Sequence, residues 1–448
     1  MSELREFDEI VIFGMGFVGL TLAAVVAESG HQVLGIDTNH ETIDGLRIGK
    51  PHFFEPNLNQ SINKGLSSGK LKFETNVSLA DKKRIFIVSV GTPLKGNQLD
   101  SGSIASIIAT LIDCTQDGDM VLLRSTIPVG LSEKMKNAIE AGSGKSFLFA
   151  MCPERTLEGS ALEELKVLPQ IVGAPDAESR EAAKEFFLTF SPKVISLNSF
   201  EAAELAKLSS NIVRDVRFGL ANEIAFACEK FGVNFEEIRI ATNEDYPREG
   251  LARLGPVAGP CLEKDSWIYL ESLQSFSNVE TNGSTEISII KSARLINESL
   301  ASWAINNVIS HITNTNDEKR RLKVLHIGMA FKGKPATDDL RGSDALKVFA
   351  GLSNSSFIDN YSWDAEVSFE SLAHKGLNPV EDEINSQDFS IVIIHNNHVE
   401  NSKKVLDFLT SRNHGQSVYV LDLCNALQLE GQLPANITYR AFGSSQIA

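Results

Sequence analysis

The 448-residue chain lacks the features that mark membrane, nucleic-acid-binding and metal proteins. No apolar run approaches the ~20 residues that span a bilayer. Its 42 Lys and Arg face 58 Asp and Glu, and the net charge of -16 argues against nucleic acid or a membrane surface as partner, because both are polyanionic. The five cysteines are scattered without metal-ligand spacing, so we expect no metal site.

The cysteines and the amino-terminal segment also bear on the compartment. Five is an odd number, which favours a reduced chain with mostly buried thiols. Residues 1–8 are polar and acidic and contain no apolar signal segment. We therefore expect a cytoplasmic protein. A hydrophobic content of 42% with 22% charged residues is typical of globular domains, and the length predicts two or three of them.

The first strong pattern is a strand, a glycine-rich turn and a helix. The buried-strand run 9–13 leads directly into G-M-G-F-V-G at 14–19 and an alanine-rich helix, and a second strand at 32–36 ends at an acidic residue. This context, and not the glycine spacing alone, predicts a dinucleotide-binding βαβ unit. The predicted cofactor-binding residues of this unit are Gly14, Gly16, Phe17, Val18, Gly19 and Asp37.

Each glycine of the turn has a separate predicted task. Gly14 allows the tight turn, Gly16 lets a pyrophosphate approach the helix N-terminus, and Gly19 lets the helix pack closely on the strand. Asp37 accepts hydrogen bonds from the adenosine ribose and repels a 2′-phosphate, which favours NAD over NADP. The alternative is a glycine-rich turn that binds no ligand.

Three more strand-like runs, at 84–90, 120–124 and 147–150, lead into polar or proline-containing turns. These turns lie at 91–93, 125–130 and 152–155. Ligands of a doubly wound sheet lie beyond the carboxyl ends of its strands, so we expect the turns to converge at the nicotinamide end.

The rest of the chain changes character twice. Residues 199–231 have an unbroken helical pattern, which predicts one helix of roughly 30 residues, and another helical stretch covers 284–312. A polar linker at 313–321 then precedes strands near 322–328, 390–394 and 418–422. We predict an α/β protein with two Rossmann-like doubly wound domains, 1–197 and 313–448, joined by a mainly helical middle domain, 198–312, with one long central helix.

Two groups of side chains in the middle region could carry chemistry. Lys207 and Asn211 share a helix face and could polarise a substrate oxygen, or they could belong to a solvated face. Cys261 ends the glycine- and proline-rich run 255–261, and Asp265 follows four residues later. An oxidation that carries an alcohol through to an acid needs a nucleophilic thiol, whereas one that stops at the carbonyl does not. The alternative for Cys261 is a buried, inert thiol.

Taken together, the motifs resemble the UDP-glucose/GDP-mannose dehydrogenase family, in order and over nearly the whole chain. The resemblance implies NAD-dependent four-electron oxidation of a sugar nucleotide's C6 alcohol to a carboxylate, with two NAD consumed in turn. The third domain of this family binds the nucleotide. The matching segments are 14–20, 90–93, 125–130, 152–155, 204–207 with Asn211, 259–261 through 265, and 330–332 with 337–341.

The resemblance also implies roles for individual residues. Cys261 would form a thiohemiacetal and then a thioester, and Lys207 and Asn211 would stabilise oxyanions at C6. Asp265, Glu154 and Thr126 would be candidates for ordering water and relaying protons. Residues implied near the cofactor are Thr92, Thr126, Glu158, Lys264 and Arg341, and residues implied at the substrate are Glu154, Arg155, Lys207, Asn211, Arg248 and Lys332.

The chain departs from the family pattern in two places. Ala258-Gly259-Pro260 stands where many relatives have Gly-Gly-His, which puts the freedom of the loop in doubt, and proline also removes a donor. Relative to the family pattern, two extra residues lie between Lys332 and Arg341, so Lys334 competes with Lys332 for the substrate role.

The resemblance extends to the sugar and to assembly. At position 155, this chain resembles the branch of the family that oxidises UDP-N-acetylhexosamines, such as those of N-acetylmannosamine and N-acetylglucosamine; the residue there is Arg155. That branch supplies uronic acids for surface polysaccharide. Arg248 resembles an arginine that crosses a dimer interface to the partner's substrate, and the long helix would form the core of that homodimer or higher oligomer. Otherwise Arg248 is a solvated loop charge.

Three other functions stay open. A UDP-glucose 6-dehydrogenase would share every motif, and a two-electron hydroxyacid dehydrogenase would share the cofactor domain without needing Cys261. A non-catalytic NAD-binding sensor would have no reason to keep Lys207, Asn211, Cys261 and Asp265 together.

Overall fold

The computed structural model describes residues 7–248, 250–275, 288–315, 317, 320–381, 384–411, 417–427, 434 and 436–444. The described residues form two compact units. The first comprises residues up to 210 together with 267–275, and the second comprises 211–266 and the described residues from 288 onward.

The first unit alternates strands and helices. Its strands are β1 Glu9–Phe13, β2 Val33–Ile36, β3 Leu71–Glu74, β4 Arg84–Val88, β5 Leu94–Lys95, β6 Gln98–Leu99, β7 Met120–Leu123, β8 Leu148–Met151, β9 Gln170–Gly173 and β10 Val194–Leu197. Its helices are α1 Phe17–Glu28, α2 His40–Arg47, α3 Leu58–Ser67, α4 Gly102–Cys114, α5 Leu131–Ser143, α6 Ala161–Val167 and α7 Ala177–Phe187.

Eight of these strands form one sheet in the order β10-β9-β8-β7-β4-β1-β2-β3. The strands from β8 through β3 are parallel to their neighbours, whereas β9 pairs antiparallel with β8. Strands β1, β4, β7 and β8 are almost wholly buried, because helices cover both faces of such a sheet. Their side chains are apolar except for Glu9 and Arg84, which pair with each other at the start of β1 and β4. The predicted turns after β4, β7 and β8 therefore lie at one edge of the sheet, next to the turn after β1.

Four helices follow in the chain. They are α8 Phe200–Phe231, α9 Phe235–Asn243, α10 Leu262–Ser275 and α11 Ile289–Asn314. Helices α8 and α10 each contribute residues to both units. Within the second unit, α8 packs on α11 at Gly219, where an added Cβ would lie 2.7 Å from the Ala293 Cβ. That close approach requires a residue without a side chain at this point of α8.

The second unit continues into a parallel five-stranded sheet in the order β12-β11-β13-β14-β15. Its remaining elements are β11 Leu322–Ile327, α12 Asp344–Leu352, β12 Ile358–Trp363, α13 Phe369–His374, a 3-10 turn at Ile384–Ser386, β13 Ile391–Ile394, α14 Val399–Thr410, β14 Val418–Asp422 and β15 Ile437–Ala441. Strands β11, β13 and β14 are central, and their side chains form the core of this sheet with those of α11 and α14.

The predicted fold class is confirmed by two Rossmann-like sheets and a helical middle with one long helix. The predicted helix at 199–231 is α8, which has 32 residues. The helix predicted at 284–312 is α11, and residues 284–287 lie outside the described residues, as do 316, 318 and 319 of the predicted linker. Within the described parts of the chain, no helix is both long and apolar enough to cross a membrane.

Two buried histidines lie at the carboxyl ends of neighbouring strands in the second unit. His326 of β11 has its Nδ1 3.0 Å from Nε2 of His395 and its Nε2 3.0 Å from Oδ1 of Asn360. Since Asn360 Oδ1 accepts, His326 Nε2 donates to it and His326 Nδ1 accepts from His395. Both bonds of His326 are thus satisfied with the two rings neutral, whereas Nδ1 of His395 is buried without a hydrogen-bond partner among the described residues. Burial lowers the pKa of His326 from 6.5 to about 4 and that of His395 well below 6.5.

We expect this histidine pair to make the second unit sensitive to acid. Between pH 6.5 and about 4 the folded His326 binds fewer protons than the unfolded one, so stability falls as the pH falls through that window. The loss attributable to His326 amounts to about 3 kcal/mol. Urea midpoints followed by tryptophan fluorescence report it, because Trp303 and Trp363 lie in this unit.

In His326→Gln the midpoint should depend less steeply on pH than in the parent protein. His374→Gln, at an exposed position of α13, is the matched control and should leave the slope unchanged. Equal slopes in all three proteins would contradict the assignment of acid sensitivity to the buried pair.

Candidate functional site

The glycine-rich turn after β1 has the shape that a pyrophosphate requires. Gly14 has φ +88° and its N–H donates to Ile36 O at 2.8 Å. A Cβ on Gly19 would lie 1.9 Å from Gly14 O, so only glycine allows α1 to start this close to the strand. A Cβ on Gly16 would meet nothing within 4 Å, which leaves the backbone at the start of α1 open to an approaching anion.

The carboxylate of Asp37 is held at the end of β2. Its Oδ2 accepts from Met15 N at 2.7 Å, and its Oδ1 accepts from Asn39 N at 2.9 Å. Each oxygen keeps a further lone pair for a ribose hydroxyl, whereas a 2′-phosphate would meet a fixed negative charge. Phe17 and Val18 are half-buried in the first turn of α1. These residues fit NAD.

The turns after β4 and β7 are joined by one side chain. Ser125 Oγ donates to Val90 O at 2.7 Å and Ser125 N donates to Val88 O at 3.1 Å. Thr92 is buried in the first of these turns and Thr126 is half-buried in the second. Both predicted cofactor residues therefore lie at the carboxyl edge of the sheet, as the strand pattern predicts.

Glu154, in the turn after β8, is paired with a buried arginine that the sequence did not single out. Arg124 Nη2 donates to Glu154 Oε2, and Glu154 Oε1 accepts from the backbone N–H groups of Arg155 at 2.6 Å and Thr156 at 2.8 Å. Burial opposes ionisation, but the Arg124 charge and these hydrogen bonds outweigh it and lower the pKa of Glu154 to about 2. An ionised carboxylate held this firmly is a poor proton acceptor.

Two other predicted residues follow on the same segment. Arg155 Nη2 donates to the carbonyl oxygen of Pro169, and its side chain is half-buried. Glu158 is also half-buried, four residues after Glu154.

The start of α8 is fastened to the turn after β7 by Glu204. Its Oε2 accepts from Gly130 N at 2.7 Å and its Oε1 accepts from Ser132 N at 3.0 Å and Ser132 Oγ at 2.6 Å, at the N-terminus of α5. One helical turn later, Lys207 is 7% exposed. Lys207 thus belongs to a buried stretch of α8 and not to a solvated helix face.

In the second unit, three predicted catalytic residues come together. Asn211 Nδ2 donates to Asp265 Oδ2 at 2.6 Å, and both side chains are buried. Asp265 N donates to Cys261 O at 3.0 Å, and Lys264 Nζ lies 3.3 Å from Asp265 Oδ1. Asp265 therefore lies between the residue that orients it and the segment that carries the thiol.

The thiol itself is accessible. Cys261 is exposed directly before the first residue of α10, whereas Cys114, Cys152 and Cys228 are buried and Cys424 is half-buried. The partial positive charge of a helix N-terminus favours an anion at this position. The interpretation of Cys261 as a buried core thiol does not hold in this structure.

The loop before Cys261 needs its glycine. Gly259 has φ +99°, and an added Cβ would lie 2.5 Å from Phe331 Cδ2. The Gly259 N–H donates to Gly342 O at 3.4 Å. Pro260 has no backbone N–H and therefore needs no acceptor in this loop. The departure Ala258-Gly259-Pro260 is therefore accommodated by one left-handed glycine packed against a ring.

The predicted residues after β11 lie at the surface of the second unit. Lys332 Nζ lies 5.2 Å from the centre of the Phe331 ring, and Lys334 is exposed. Arg341 is exposed and donates through Nη2 to Asp339 Oδ2 at 2.6 Å.

Arg248 is exposed on the segment after α9. Its guanidinium lies 5.1 Å from the centre of the Tyr246 ring, and its Nη1 donates to Tyr246 Oη at 2.7 Å. The Arg248 side chain is therefore held at the surface by its contacts with Tyr246.

The predicted catalytic residues divide evenly between the units. Thr126, Glu154 and Lys207 belong to the first, and Asn211, Cys261 and Asp265 belong to the second. Within the described residues, no group of three His, Cys, Asp or Glu side chains could hold a metal ion. Sequence reasoning missed Arg124, and it included Glu204 in the matching segment 204–207 without assigning it a role. The charge of Arg124 at the end of the apolar run 120–123 was an available signal.

Comparison with known proteins identifies the family. The NAD binding domain of the UDP-glucose/GDP-mannose dehydrogenase family matches residues 8–191, and the central domain of the same family matches residues 201–299. The chain belongs to the UDP-glucose/GDP-mannose dehydrogenase family. It is an NAD-dependent nucleotide-sugar dehydrogenase, as its motifs predict.

Several members of this family are similar over most of their length. A UDP-N-acetyl-D-mannosamine dehydrogenase of Pyrococcus horikoshii is 32% identical over 352 residues, covering 77% of this chain and 81% of the relative. One from Methanococcus vannielii is 30% identical over 410 residues, covering 90% and 89%. A solved structure of the UDP-D-ManNAc dehydrogenase of Pyrococcus horikoshii superposes with a TM-score of 0.84 at 28% identity, covering 97% of this chain and 99% of that one.

We expect Glu154 to contribute to activity without titrating near neutral pH. In Glu154→Gln the acidic limb of the pH–rate profile should keep its midpoint, because the pKa of Glu154 is about 2 and the carboxylate is already ionised throughout the assay range. Loss of the buried charge partner of Arg124 should lower stability by about 3 kcal/mol. Initial rates of NADH formation between about pH 5 and pH 9, with thermal unfolding alongside, measure both effects.

The matched control is Glu158→Gln, on the same segment. If the acidic limb disappears in Glu154→Gln alone, Glu154 is the titrating base and Arg124 does not keep it ionised throughout the assay range.

Proposed function

We propose that this dehydrogenase oxidises the C6 alcohol of a UDP-N-acetylhexosamine to the carboxylate in two successive hydride transfers. The observation that carries the proposal is the exposed Cys261 at the start of α10, followed one turn later by a buried Asp265 that Asn211 orients. A two-electron alcohol dehydrogenase needs no such thiol, and a sensor needs no such set.

The reaction proceeds through a covalent adduct of Cys261. The alcohol first loses its proton and a hydride from C6, which gives the aldehyde. The Cys261 sulfur then bonds to C6 while the thiol proton moves to the carbonyl oxygen, which gives the thiohemiacetal. Loss of the hydroxyl proton together with a second hydride from C6 converts the thiohemiacetal to a thioester. Water adds to the thioester and the C–S bond breaks, which releases the acid and restores the thiol. NAD, when bound, would supply the hydride acceptor for each of the two oxidations.

Three side chains act on the oxygen bound to C6 and on the hydrolytic water. Lys207 and Asn211, one turn apart on α8, donate hydrogen bonds to the oxygen on C6 as negative charge develops there. Asp265 is the carboxylate that activates the hydrolytic water, because Glu154 is already committed to Arg124 with a pKa of about 2. Glu154 and Thr126 order water and substrate at the edge of the first sheet.

Other predicted residues hold the two ligands. Near the cofactor we propose Thr92, Thr126, Glu158, Lys264 and Arg341. We also propose an NAD-binding domain at 1–197, a helical middle at 198–312 and a nucleotide-binding domain at 313–448, because the first sheet ends with β10 and the next begins with β11. Lys332 reaches the substrate from this third domain, with Lys334 as its competitor.

The sugar is proposed from the relatives that the chain resembles. Two dehydrogenases about 30% identical to it act, by name, on UDP-N-acetyl-D-mannosamine. Arg155 already donates to Pro169, so an acetamido group would be met by its remaining N–H groups. The product would be a uronic acid for surface polysaccharide. UDP-glucose is the alternative substrate.

Stoichiometry tests the proposal. We expect two NADH per sugar consumed in a spectrophotometric assay of UDP-ManNAc, UDP-GlcNAc and UDP-glucose with NAD. Cys261→Ala should release no acid, with the rate down by at least about a thousandfold, while NAD binding is kept. Cys228→Ala, a buried cysteine of α8, is the matched control and should retain turnover.

One NADH formed per sugar consumed would show that the enzyme is a two-electron dehydrogenase. NAD binding without NADH formation from any of these sugars would favour a sensor. Faster turnover of UDP-glucose than of either N-acetylated sugar would make UDP-glucose the substrate and leave the proposed mechanism unchanged.

We further propose that the active form is a homodimer or a higher oligomer built on α8. Two apolar side chains on one face of this helix, Val213 and Leu220, are 56% and 51% exposed, and Leu295 of α11 is 48% exposed. Large exposed apolar side chains at helical spacing mark an interaction surface. Arg248 would extend from such a dimer toward the substrate of the partner.

Co-expression of two inactive variants tests this arrangement. Arg248→Ala and Cys261→Ala should each be inactive alone, but a mixed dimer has one site with both residues intact. Random pairing should restore about a quarter of the parent activity, because half the dimers are mixed and each has one working site. No recovery, in material shown by native mass spectrometry to contain mixed dimers, would show that Arg248 does not act across the interface.

A further inference from the structure

We infer that Arg294 and Asn222 are positioning residues for Cys261, because they hold the backbone on both sides of the thiol. Neither residue belongs to the motifs that identify the family. The inference rests on the proposed role of Cys261 as the nucleophile and adds the part of the second unit that fixes its place.

Arg294 of α11 bridges the two ends of the cysteine segment. Its Nη1 donates to Leu262 O at 2.9 Å and its Nη2 donates to Val257 O at 3.2 Å. Leu262 follows Cys261 directly, and Val257 precedes it by four residues. One guanidinium, 1% exposed, therefore fixes the distance between the start of the loop and the start of α10.

Asn222 of α8 holds the loop farther upstream. Its Nδ2 donates to Gly255 O at 3.0 Å and its Oδ1 accepts from Gly255 N at 2.9 Å, so a single peptide-like group binds both polar atoms of one residue. Gly255 has φ +124°, a conformation that non-glycine residues rarely adopt. Asn222 thus determines the direction in which the chain enters the cysteine loop.

Asp215 joins these contacts to Asp265. Its Oδ1 accepts from Arg294 Nη1 at 2.7 Å, and its Oδ2 accepts from Ser266 Oγ at 2.7 Å. Ser266 is the residue after Asp265, so the same carboxylate anchors the arginine that holds the thiol loop and the helix turn that carries the predicted base. Asn297 links the two positioning residues, because its Oδ1 accepts from Asn222 and its Nδ2 donates to Asp215 Oδ1 at 2.8 Å.

The contacts made by Arg294 require its planar fork. Three acceptors from different parts of the chain are met by two nitrogens of one guanidinium, whereas a lysine ammonium is a single point charge on a flexible stem. Lysine at this position could keep the ion pair with Asp215 but not both loop carbonyls. The packing of α8 on α11 does not depend on these bonds, because Ala221, Ala225 and Leu300 form a buried apolar contact there.

Arg294→Lys is the test, with Glu298→Gln as the matched control. Glu298 Oε1 lies 3.3 Å from Nε of the same guanidinium, and the Glu298 side chain is 33% exposed. This contact is made to Nε, whereas the nitrogens that donate to Leu262 and Val257 are Nη1 and Nη2. We expect kcat of Arg294→Lys to fall by about tenfold to a hundredfold, since small displacements of a reacting group cost that much. The KM for NAD should stay within about twofold, because the predicted cofactor fingerprint lies in the first unit.

Hydrogen–deuterium exchange separates positioning from general destabilisation. In Arg294→Lys, amides of the peptide covering 255–262 should exchange faster while those of β11, β13 and β14 stay as in the parent, and Glu298→Gln should change neither. Asn222→Ala should give the same pattern of amide exchange, with the largest increase in rate at Gly255. This second variant tests the inference if Arg294→Lys does not fold.

Unchanged kcat, or faster exchange spread evenly over the second unit, would overturn the inference. The proposed function fails on a different readout: if Cys261→Ala still yields two NADH per sugar, the thiol is not the nucleophile, whatever the exchange pattern of 255–262.

Discussion

The buried ion pair between Asp215 and Arg294 is the constraint on which the catalytic part of the second unit depends. Removing two such charges from water costs several kcal/mol for each ion, so the pair is tolerated only where further hydrogen bonds satisfy both groups. Here Ser266 and Asn297 donate to Asp215, and Arg294 donates to two loop carbonyls. The partners that make the buried charges acceptable are the same groups that set the position of Cys261 and the turn carrying Asp265. Stability and geometry of this segment are therefore set by one network.

A second buried ion pair has a comparable effect in the first unit. Arg124 holds Glu154 ionised at the carboxyl edge of the sheet, where the turns after β4, β7 and β8 meet. Asp265 accepts at Oδ2 from the neutral Asn211 and has Lys264 Nζ 3.3 Å from its Oδ1. The two carboxylates that we propose for one reaction thus have different surroundings: Glu154 is paired with a buried arginine, and Asp265 lies between an amide and a lysine.

The sequence was most informative where structure follows from neighbouring residues. Strands β1, β4, β7 and β8 are continuous apolar runs, and α8 has an uninterrupted helical pattern, so their places were predictable to within a few residues. Strands β3, β9, β10, β12 and β15 were not predicted, and for β10 and β12 the reason is that their exposed or polar side chains give no apolar run. The positioning contacts were not predictable for another reason: Arg294 meets Val257 and Asp215 across separations of 37 and 79 residues, and no local pattern encodes such a pairing. Motif order brought Cys261, Asp265 and Asn211 to attention, but their exposure and hydrogen bonds required the fold.

The central claim is that substrate becomes covalently attached to Cys261 between the two oxidations. Its most direct test is acid quenching of an Asp265→Asn variant during turnover with NAD and UDP-ManNAc, followed by peptide mass spectrometry. Slowed hydrolysis should accumulate a thioester, and the account predicts the mass of the uronyl nucleotide, less one water, on the peptide that contains Cys261. Formation of acid while Cys261 stays unmodified at every time point, or an adduct on another residue, would contradict it.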